Sequence, residues 1–256
     1  MTVTARTTLL GLIGDPVSSS LSPLMQNAAL AALGLDWAYV PLRVDAEVPG
    51  AVGTAVRGLA ALSFRGANVT IPHKGAACAA VDRLTDVARR AGSVNTISVE
   101  DDGTIVGDST DGLAVVDGLI AAAGAGALEG RAVVLGAGGS SRAVVEALAR
   151  ELALAGVVAA TMDPGGRRVL VNCTPLGGSA HPTARPDVEI DEAVAVCDLA
   201  YRPDRAPTPL IALARGRGVP TVDGLEVLVR QGAASLERWT RMPAPLEAMR
   251  SALASI

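Results

Sequence analysis

The sequence predicts an α/β protein with two domains, and three observations support this class. Short apolar runs typical of strands alternate with segments of helical pattern along most of the 256 residues. One run, Ala132–Leu135, ends at a glycine cluster, Gly136–Gly139, which opens a helical segment. The length suits one large or two modest domains, and the glycine- and alanine-rich stretch Ala121–Ala127 is a candidate hinge.

The first half of the chain alternates strands and helices. Ser22 followed by Pro23 favours a helix start, because serine can cap free N–H groups and proline fits the first helical position. Asp101-Asp102-Gly103 is typical of a hairpin turn. The predicted elements are strands over Thr8–Ile13, Trp37–Leu42, Arg65–Ile71, Ser93–Val99 and Thr104–Val106, helices over Ser22–Leu33 and Val48–Leu62, and a short helix after Lys74.

The second half continues this alternation around the glycine cluster. A helix is predicted before the cluster, over Leu113–Ala123, and the helix after it is predicted to reach about Leu152. The remaining predicted elements are strands over Gly156–Thr161, Val169–Val171, Val194–Leu199 and Val219–Val222, and closing helices over Gly224–Trp239 and Pro245–Ala254.

Composition excludes several classes of protein. Half of the residues are hydrophobic but only 2% are aromatic, so the core is predicted to be aliphatic. A net charge of −4 without a basic cluster argues against nucleic acid or a membrane surface as a partner. Three scattered cysteines indicate a reducing cytoplasm rather than a disulfide framework or a metal site. Only two histidines are present, which argues further against a metal site. We find no signal-peptide pattern and no apolar run of about 18 residues that would predict a membrane span.

The glycine cluster suits a phosphate-bearing cofactor. Glycines allow the backbone angles of a tight turn and a close approach of phosphate to the main chain. The helix N-terminus that follows offers unpaired N–H groups and the positive end of its dipole. An ordinary strand–helix turn is the alternative in a chain with 28 glycines. The strand before the cluster and the helix after it favour a dinucleotide.

Polar residues collect where strands end, which is where open α/β sheets bind ligands. Ser20 and Ser22 could both donate to one carboxylate, although Ser22 could equally serve only as a helix cap. Asn68 and Thr70 share one face of a strand, and ordinary strand-edge polarity would also explain them. The residues of this kind are Ser20, Ser22, Asn68, Thr70, Lys74, Asn95 and Asp111.

Lys74 and Asp111 each have a catalytic and a structural interpretation. Lys74 is either a solvated surface cation or a proton donor, and the second role needs a nearby carboxylate and partial desolvation. Asp111 could be that carboxylate, or it could be an acid favoured at the start of a helix by the dipole. The residues alone leave both alternatives open.

Short motifs along nearly the whole chain occur in the order found in one enzyme family. They are Ser20–Pro23 as S-x-S-P, Asn68–Lys74 as N-V-T-x-P-x-K, Ser93–Thr96 close to A-V-N-T, Asp108–Gly112 close to D-N-T-D-G, Gly136–Arg142 as G-A-G-G-x-x-R, Asn172–Gly177 as N-x-T-P-x-G, Asp198–Tyr201 as D-x-x-Y, and Asp223–Gln231 as D-G-x-x-x-L-x-x-Q. Together they resemble the shikimate dehydrogenase family.

The resemblance implies a reversible, NADPH-dependent reduction of 3-dehydroshikimate to shikimate in aromatic amino-acid (chorismate) biosynthesis. It implies that Lys74 and Asp111 are the catalytic proton-transfer pair. The substrate-binding residues that it implies are Ser20, Ser22, Asn68, Thr70, Asn95, Tyr201 and Gln231. The cofactor-binding residues that it implies are Gly136, Ala137, Gly138, Gly139, Ser140, Arg142, Thr174, Leu199 and Gly224.

The same resemblance implies a domain arrangement and a set of partners. An N-terminal α/β substrate domain is expected over residues 1–112, to which the C-terminal helices of residues 224–256 return. A Rossmann-like NADP-binding domain is expected over residues 113–223. The implied partners are a small-molecule substrate and NADP, with NAD also possible, in a cytoplasmic monomer or homodimer that uses no metal.

The chain departs from the family after the first helix of the cofactor domain. The arginine-bearing segment that grips the 2′-phosphate of NADP is not found, and only about seven residues separate two strands where a parallel crossover needs roughly a dozen. Three explanations compete: a shortened chain, an internal stretch missing from the printed sequence, or a rearranged loop that uses Arg167 and Arg168. We favour the second, because the other motifs are intact and phosphate-binding loops are often mobile.

Two other functions stay open from sequence. A relative that acts on quinate or on an aminated substrate, and that could use NAD, would carry the same motifs. A non-catalytic substrate-binding relative would have lost cofactor binding through the shortened segment. The pair formed by Lys74 and Asp111 argues against the second alternative, because a binding module has little need of proton transfer.

Overall fold

The structure is a computed structural model that describes residues 3–128, 130–151, 156–160, 167–202 and 204–254. Within these ranges the chain folds as two compact units. The first unit comprises residues 1–110 and 231–256, and the second comprises residues 111–230. The division at 112/113 and 223/224 expected between substrate and cofactor binding remains a prediction. No described helix is long and apolar enough to cross a membrane.

The first unit is built on a mixed sheet. Its strands are β1 (Thr8–Gly14), β2 (Trp37–Arg43), β3 (Phe64–Val69), β4 (Arg83–Leu84), β5 (Thr96–Val99) and β6 (Ile105–Asp108), and its first helices are α1 (Ser22–Ala32), α2 (Ala51–Ala61), α3 (Lys74–Ala77) and α4 (Asp86–Ala91). The sheet order is β2-β1-β3-β5-β6-β4, and β5 runs antiparallel to both of its neighbours. The hairpin between β5 and β6 confirms the turn predicted at Asp101–Gly103.

The second unit is built on a parallel sheet. Its elements are α5 (Asp111–Ala123), β7 (Arg131–Leu135), α6 (Gly139–Glu151), β8 (Gly156–Ala160), β9 (Arg168–Asn172), β10 (Ala193–Asp198), α7 (Pro209–Gly216), β11 (Thr221–Val222) and the start of α8 (Gly224–Thr240). The strand order is β11-β10-β9-β7-β8, and every described pair is parallel. The remainder of α8 and α9 (Leu246–Ala254) belong to the first unit, where α9 packs against α1.

Aliphatic side chains form the core of each unit, as the composition predicts. In the second unit β7 is buried on both faces: Ala132 and Val134 enter one apolar cluster, whereas Val133 and Leu135 enter another. Successive side chains of a strand point to opposite faces, so a parallel strand covered on both sides reads as a continuous apolar run. The predicted run Ala132–Leu135 is such a strand.

Two helices were not predicted although their ends carry clear signals. Helix α4 is capped by Thr85, whose hydroxyl accepts from the N–H of Ala88, and it ends at Gly92 in the left-handed conformation. Helix α7 is capped by Thr208, whose hydroxyl accepts from the N–H of Ile211, and Pro209 follows the cap. Both helices are short, so their caps carry more of the signal than any apolar repeat does.

The expectation that Ser22 caps α1 is wrong. The residue at the cap position is Leu21, and no side chain caps the helix. Ser22 is instead the first residue of α1, and its N–H donates to Oγ of Ser20 at 3.2 Å. The strand expected from Ser93 begins only at Thr96, which leaves Asn95 in the preceding loop.

Arg167 and Arg168 do not lie where a rearranged phosphate loop would need them. Arg168 begins β9, in the register that pairs Val169 with Ala132 at the start of β7. The glycine cluster follows the other end of β7, so the explanation based on these two arginines is wrong. The predicted break between Arg150 and Arg168 falls mainly on residues 152–155 and 161–166, outside the described residues.

Two helical glycines provide a test of the packing. A Cβ on Gly112 of α5 would lie 2.2 Å from the carbonyl oxygen of Ala143 on α6, whereas a Cβ on Gly58 of α2 would meet nothing within 4 Å. We expect Gly112→Ala to lower the free energy of unfolding by about 1–3 kcal/mol through overpacking. Gly58→Ala should raise it by about 0.5–1 kcal/mol, because alanine is the better helix former. Urea denaturation measures the free energy of unfolding of both variants. Changes of the same sign in the two variants would contradict this packing.

Candidate active site

In the first unit, four chain segments meet at one edge of the sheet. The parallel pairing of Ile13 with Val69 places the loops that follow β1 and β3 side by side. The antiparallel pairing of Thr96 with both Asn68 and Asp108 brings the start of β5 and the end of β6 to the same edge. The predicted substrate residues before α1, after β3 and before β5 therefore converge.

Asn95 is the centre of a buried hydrogen-bond network at this edge. Its side chain is 2% exposed. Its Oδ1 accepts from the N–H of Thr110 at 2.8 Å, and its Nδ2 donates to Oγ1 of Thr110 at 2.9 Å. The same Nδ2 lies 3.3 Å from Oε1 of Gln231 on α8. The structure thus joins two of the predicted substrate residues, Asn95 and Gln231, directly, and the hydroxyl of Thr110 links them again by donating to the carbonyl of Gln231 at 3.1 Å.

Asn68 is joined to the same network and is also buried. Its Nδ2 donates to the carbonyl of Asn95 and to Oγ of Ser235, both at 2.9 Å. Its Oδ1 accepts from the hydroxyl of Tyr39 at 2.9 Å. Both N–H groups of the amide are used within the protein, so what remains for a ligand is a lone pair on Oδ1. Tyr39 and Ser235 are site residues that the sequence reasoning missed.

Ser235 could have been found from its spacing. It lies four residues after Gln231 on α8, and residues at this spacing share one face of a helix. Its hydroxyl donates to the carbonyl of Gln231 at 3.0 Å and lies 2.7 Å from Oγ1 of Thr96. Tyr39 carries no comparable signal, because it reaches Asn68 only through the pairing of separate strands.

Lys74 is half-buried at the start of α3. Its carbonyl oxygen accepts from the N–H of Val94 at 3.0 Å, which ties α3 to the segment that carries Asn95. The preceding residue, His73, is buried, with Nε2 2.7 Å from the carbonyl of Val44. Thr70 is half-buried, and its N–H donates to the carbonyl of Ile13. The backbone that carries Lys74 is therefore held on both sides.

The two predicted carboxylate-binding serines at the start of α1 differ in exposure: Ser20 is half-buried, whereas Ser22 is buried. Oγ of Ser20 accepts from the N–H of Ser22, and a hydroxyl that accepts one hydrogen bond retains its own proton to donate. Close by in the chain, Asp15 accepts from Arg43 at 2.7 Å, which lowers the pKa of the Asp15 carboxyl. The loop after β1 is thereby tied to the end of β2.

In the second unit, the glycine cluster has the geometry that a phosphate requires. Gly136 has a φ of +116°, and a Cβ there would lie 3.2 Å from the backbone of Cys173. A Cβ on Gly138 would meet nothing within 4 Å, so the main chain is open to a ligand at that point. Helix α6 begins at Gly139, and its first N–H groups have no partner within the helix. These residues fit a dinucleotide phosphate.

Asp111 lies beside this turn as the first residue of α5. It is 5% exposed, and Oγ of Ser140 donates to its Oδ2 at 3.5 Å. One predicted proton-transfer residue is therefore adjacent to one predicted cofactor residue. Ala137, within this turn, and Arg142, in the first turn of α6, are exposed.

The other predicted cofactor residues meet where β9 and β10 end. Oγ1 of Thr174 donates to Oδ1 of Asn172 at 2.7 Å, and the N–H of Leu199 donates to the carbonyl of Asn172 at 2.9 Å. A Cβ on Gly224 would lie 2.3 Å from the carbonyl of Ala200, so α8 begins directly against this loop. The next residue after Ala200 is the half-buried Tyr201.

Asp198 is a fully buried carboxylate at this junction. Its Oδ1 accepts from Nδ2 of Asn172 and from the N–H of Ala200, and its Oδ2 accepts from the hydroxyl of Thr208 at 2.6 Å. Burial raises the pKa of Asp198 to about 6, although each of these hydrogen bonds acts to lower it. Sequence reasoning placed Asp198 in a motif but gave it no role. Within the described ranges, no cluster of side chains suits a metal ion.

Comparison with known proteins identifies the chain's relatives. Family models match at residues 12–97, as the shikimate dehydrogenase substrate binding domain, and at residues 224–254, as the shikimate 5′-dehydrogenase C-terminal domain. A shikimate dehydrogenase (NADP(+)) of Rubrobacter xylanophilus is 42% identical over 98% of this chain and 97% of its own length. That alignment spans 283 positions against the 256 residues of this chain, so at least 27 positions have no residue here.

Solved structures with a similar fold include enzymes of two named activities. The shikimate 5-dehydrogenase of Thermus thermophilus, solved in complex with NADP(H) and shikimate, is 31% identical with a TM-score of 0.79, covering 97% of this chain and 99% of its own. The 5-ketofructose reductase of a Gluconobacter species is 28% identical with a TM-score of 0.81, covering 98% and 99%.

The raised pKa of Asp198 predicts a pH-dependent contribution to stability. The proton is held more tightly in the folded than in the unfolded chain, so this contribution is complete below pH about 4 and is lost as the pH rises through about 6. The difference of about two pKa units corresponds to about 3 kcal/mol. We expect the unfolding free energy of the wild type, relative to Asp198→Asn, to fall by that order between pH 4 and 7. Urea denaturation measures both unfolding free energies, and a difference between the two proteins that stays constant across this pH range would refute the prediction.

Proposed function

Because the chain belongs to the shikimate dehydrogenase family, we propose that it reduces 3-dehydroshikimate to shikimate, reversibly, with NADPH. The chain is an oxidoreductase that acts on a CH–OH group, and the reaction is a step of aromatic amino-acid (chorismate) biosynthesis. Identity of 42% over nearly the full length of a relative with this activity supports the assignment. The proposed residue roles rest on the motif resemblance and on the geometry of each unit.

The observation that carries the proposal is the identity and placement of Lys74. The sequence contains 22 basic side chains, and Lys74 is the only lysine among them. An arginine would serve equally well as a solvated cation, but it does not release its proton at biological pH. The chain uses arginine at the other positions and lysine only here, beside the segment of Asn95. This choice fits a residue that must transfer a proton.

The substrate is proposed to bind the polar edge of the first unit. Hydroxyl groups of Ser20 and Ser22 would hold its carboxylate, with help from Tyr201. The ring hydroxyls would be bound by Asn68, Thr70, Asn95 and Gln231. The network around Asn95 supports this assignment, because it fixes the orientation of two amide side chains before a ligand arrives. Asn68 would contribute through its Oδ1.

The chemistry follows from the charge that develops on the substrate oxygen. When bound, the nicotinamide supplies the hydride for the ketone carbon. The oxygen then carries developing negative charge, and the ammonium of Lys74 would stabilise this charge and supply the proton. The carboxylate of Asp111 would keep Lys74 oriented and charged until the transfer. In the oxidative direction the same lysine would accept the proton.

The cofactor is proposed to bind the second unit through its phosphates. Gly136 to Gly139 and the first turn of α6 would receive the pyrophosphate, with Ser140 and Arg142 beside it. Thr174, Leu199 and Gly224 would line the other side of the cofactor. NADP is the cofactor named for the curated relatives, and NAD is the alternative to be tested.

The cellular setting is a further part of the proposal. We propose a cytoplasmic monomer or homodimer whose partners are the substrate and the cofactor. The three cysteines are free in the structure, which agrees with a reducing compartment.

The assignment is tested by measuring oxidation of shikimate and of quinate with NADP and with NAD. We expect the highest kcat/KM for shikimate with NADP. A preference for quinate or for NAD would move the chain to the alternative assignment, and the Gluconobacter neighbour makes 5-ketofructose the appropriate third substrate in the reductive direction. A chain that binds shikimate but shows no affinity for millimolar NADPH would be a binding module.

The role of Lys74 is tested by a pair of substitutions. Lys74→Ala should lower kcat by roughly 10²–10⁴-fold while the protein stays folded, because the proton donor is lost. Lys74→Arg keeps the charge but cannot release the proton, so it should be nearly as slow with a substrate KM closer to that of the wild type. A near-normal kcat for either variant would remove Lys74 from the mechanism.

The single lysine also permits a chemical control. An amine-selective reagent can modify only one side chain of this protein, together with the α-amino group. Inactivation of the wild type that shikimate slows would place Lys74 at the substrate, and inactivation at an unchanged rate would place it elsewhere.

A further inference from the structure

We propose that Asp198 is a positioning residue for the cofactor, which it serves by tying the loop after β9 to the loop after β10. The inference rests on the proposed function, because it assigns those two loops to NADPH. Asp198 itself would touch neither cofactor nor substrate. Its partners in this arrangement are Asn172 at the end of β9 and Thr208 at the start of α7.

The carboxylate of Asp198 accepts hydrogen bonds from three donors, one at the end of β9 and two in the loop between β10 and α7. Nδ2 of Asn172 donates to Oδ1 at 2.9 Å, and the N–H of Ala200 donates to the same oxygen at 3.0 Å. The hydroxyl of Thr208 donates to Oδ2 at 2.6 Å. Hydrogen bonds to a charged acceptor are stronger than those between neutral groups. This carboxylate therefore holds the end of β9 and both ends of the loop between β10 and α7.

Asn172 extends this hold to the proposed cofactor residues. Its Oδ1 accepts from both the N–H and the hydroxyl of Thr174, and its carbonyl accepts from the N–H of Leu199. An amide can present Oδ1 to Thr174 only while its Nδ2 faces the other way, and that Nδ2 donates to Asp198 at 2.9 Å and to the carbonyl of Leu176 at 3.3 Å. The orientation of Thr174 is therefore set through Asn172 by a residue that never reaches the ligand.

A structural role alone does not explain the choice of a carboxylate. Among the described residues Asp198 forms no ion pair, and the charged or titratable groups that act on it or lie beside it are Asp223, Cys197 and Cys173, none of which is a cation. Burying an ionised carboxylate without a cation costs free energy. A neutral acceptor at this position would hold the loop between β10 and α7 at a lower cost in free energy. The ionised form leaves both oxygens as acceptors only, and hydrogen bonds to a charged acceptor are the stronger ones, which suits the fixing of both loops.

The test compares NADPH affinity among matched variants by fluorescence titration, with thermal unfolding recorded for each. Asp198→Ala removes the acceptor. Thr208→Val removes one donor together with the cap of α7 and serves if the first variant does not fold, whereas Thr208→Ser keeps both. Val196→Ala is the control, because Val196 is fully buried two residues earlier on β10 and lies outside this hydrogen-bond network.

We expect Asp198→Ala and Thr208→Val to raise the Kd for NADPH by roughly tenfold and to change the KM for 3-dehydroshikimate less, because Tyr201 is the one proposed substrate residue on the loop after β10. Thr208→Ser and Val196→Ala should stay within about twofold of the wild type in both constants. An unchanged NADPH affinity in Thr208→Val, or an equal loss in a Val196→Ala protein of matching stability, would overturn the positioning role. Failure of the wild type itself to bind NADPH would overturn the proposed function instead.

Discussion

Polar side chains buried at the ends of strands must find partners within the protein, and this requirement organises both regions proposed to bind ligands. In the first unit Asn95 satisfies it through Thr110 and Gln231, which joins the start of β5, the end of β6 and α8. In the second unit Asp198 satisfies it through Asn172 and Thr208. Leaving a buried polar group unpaired lowers the stability by about 1–3 kcal/mol. Each network therefore favours the one arrangement of its loops in which these groups are paired. Ligand-binding groups carried on those loops are oriented in advance.

The proposed proton-transfer residue, Lys74, shows why residue type matters more than charge. Lysine and arginine are equivalent in the net charge of −4, and the chain almost always uses arginine. A guanidinium is a permanent cation with a rigid set of donors, whereas an ammonium can lose and regain a proton. A reaction that alternates between ketone and alcohol needs the second property at a single point. The structure holds the backbone at that point through His73 on one side and Val94 on the other.

Sequence reasoning predicted the elements that carry strong local patterns and missed those set by tertiary contacts. The strand and turn around Gly136 were predicted because β7 is buried on both faces and the turn needs glycine. Helices α4 and α7 were missed although Thr85 and Thr208 mark their starts, since short helices have little periodicity. The link from Asn68 to Ser235 joins residues 167 positions apart, and no local pattern contains it. Ser22 was expected to cap α1, but the helix begins one residue too early for that.

The extent of the described parallel sheet bears on how the chain can recognise the 2′-phosphate of NADP. At least 27 alignment positions of a close relative have no residue here, about the size of a helix–strand unit, and no described strand pairs with the outer edge of β8. From Gly136 to Gly166 the only basic residues are Arg142 and Arg150. Arg150 lies in the last turn of α6, away from the glycine turn. Arg168 begins β9, at the end of the parallel strands opposite to the glycine turn. Arg142, exposed in the first turn of α6, is therefore the basic side chain that the described residues between Gly136 and Gly166 place beside the glycine turn.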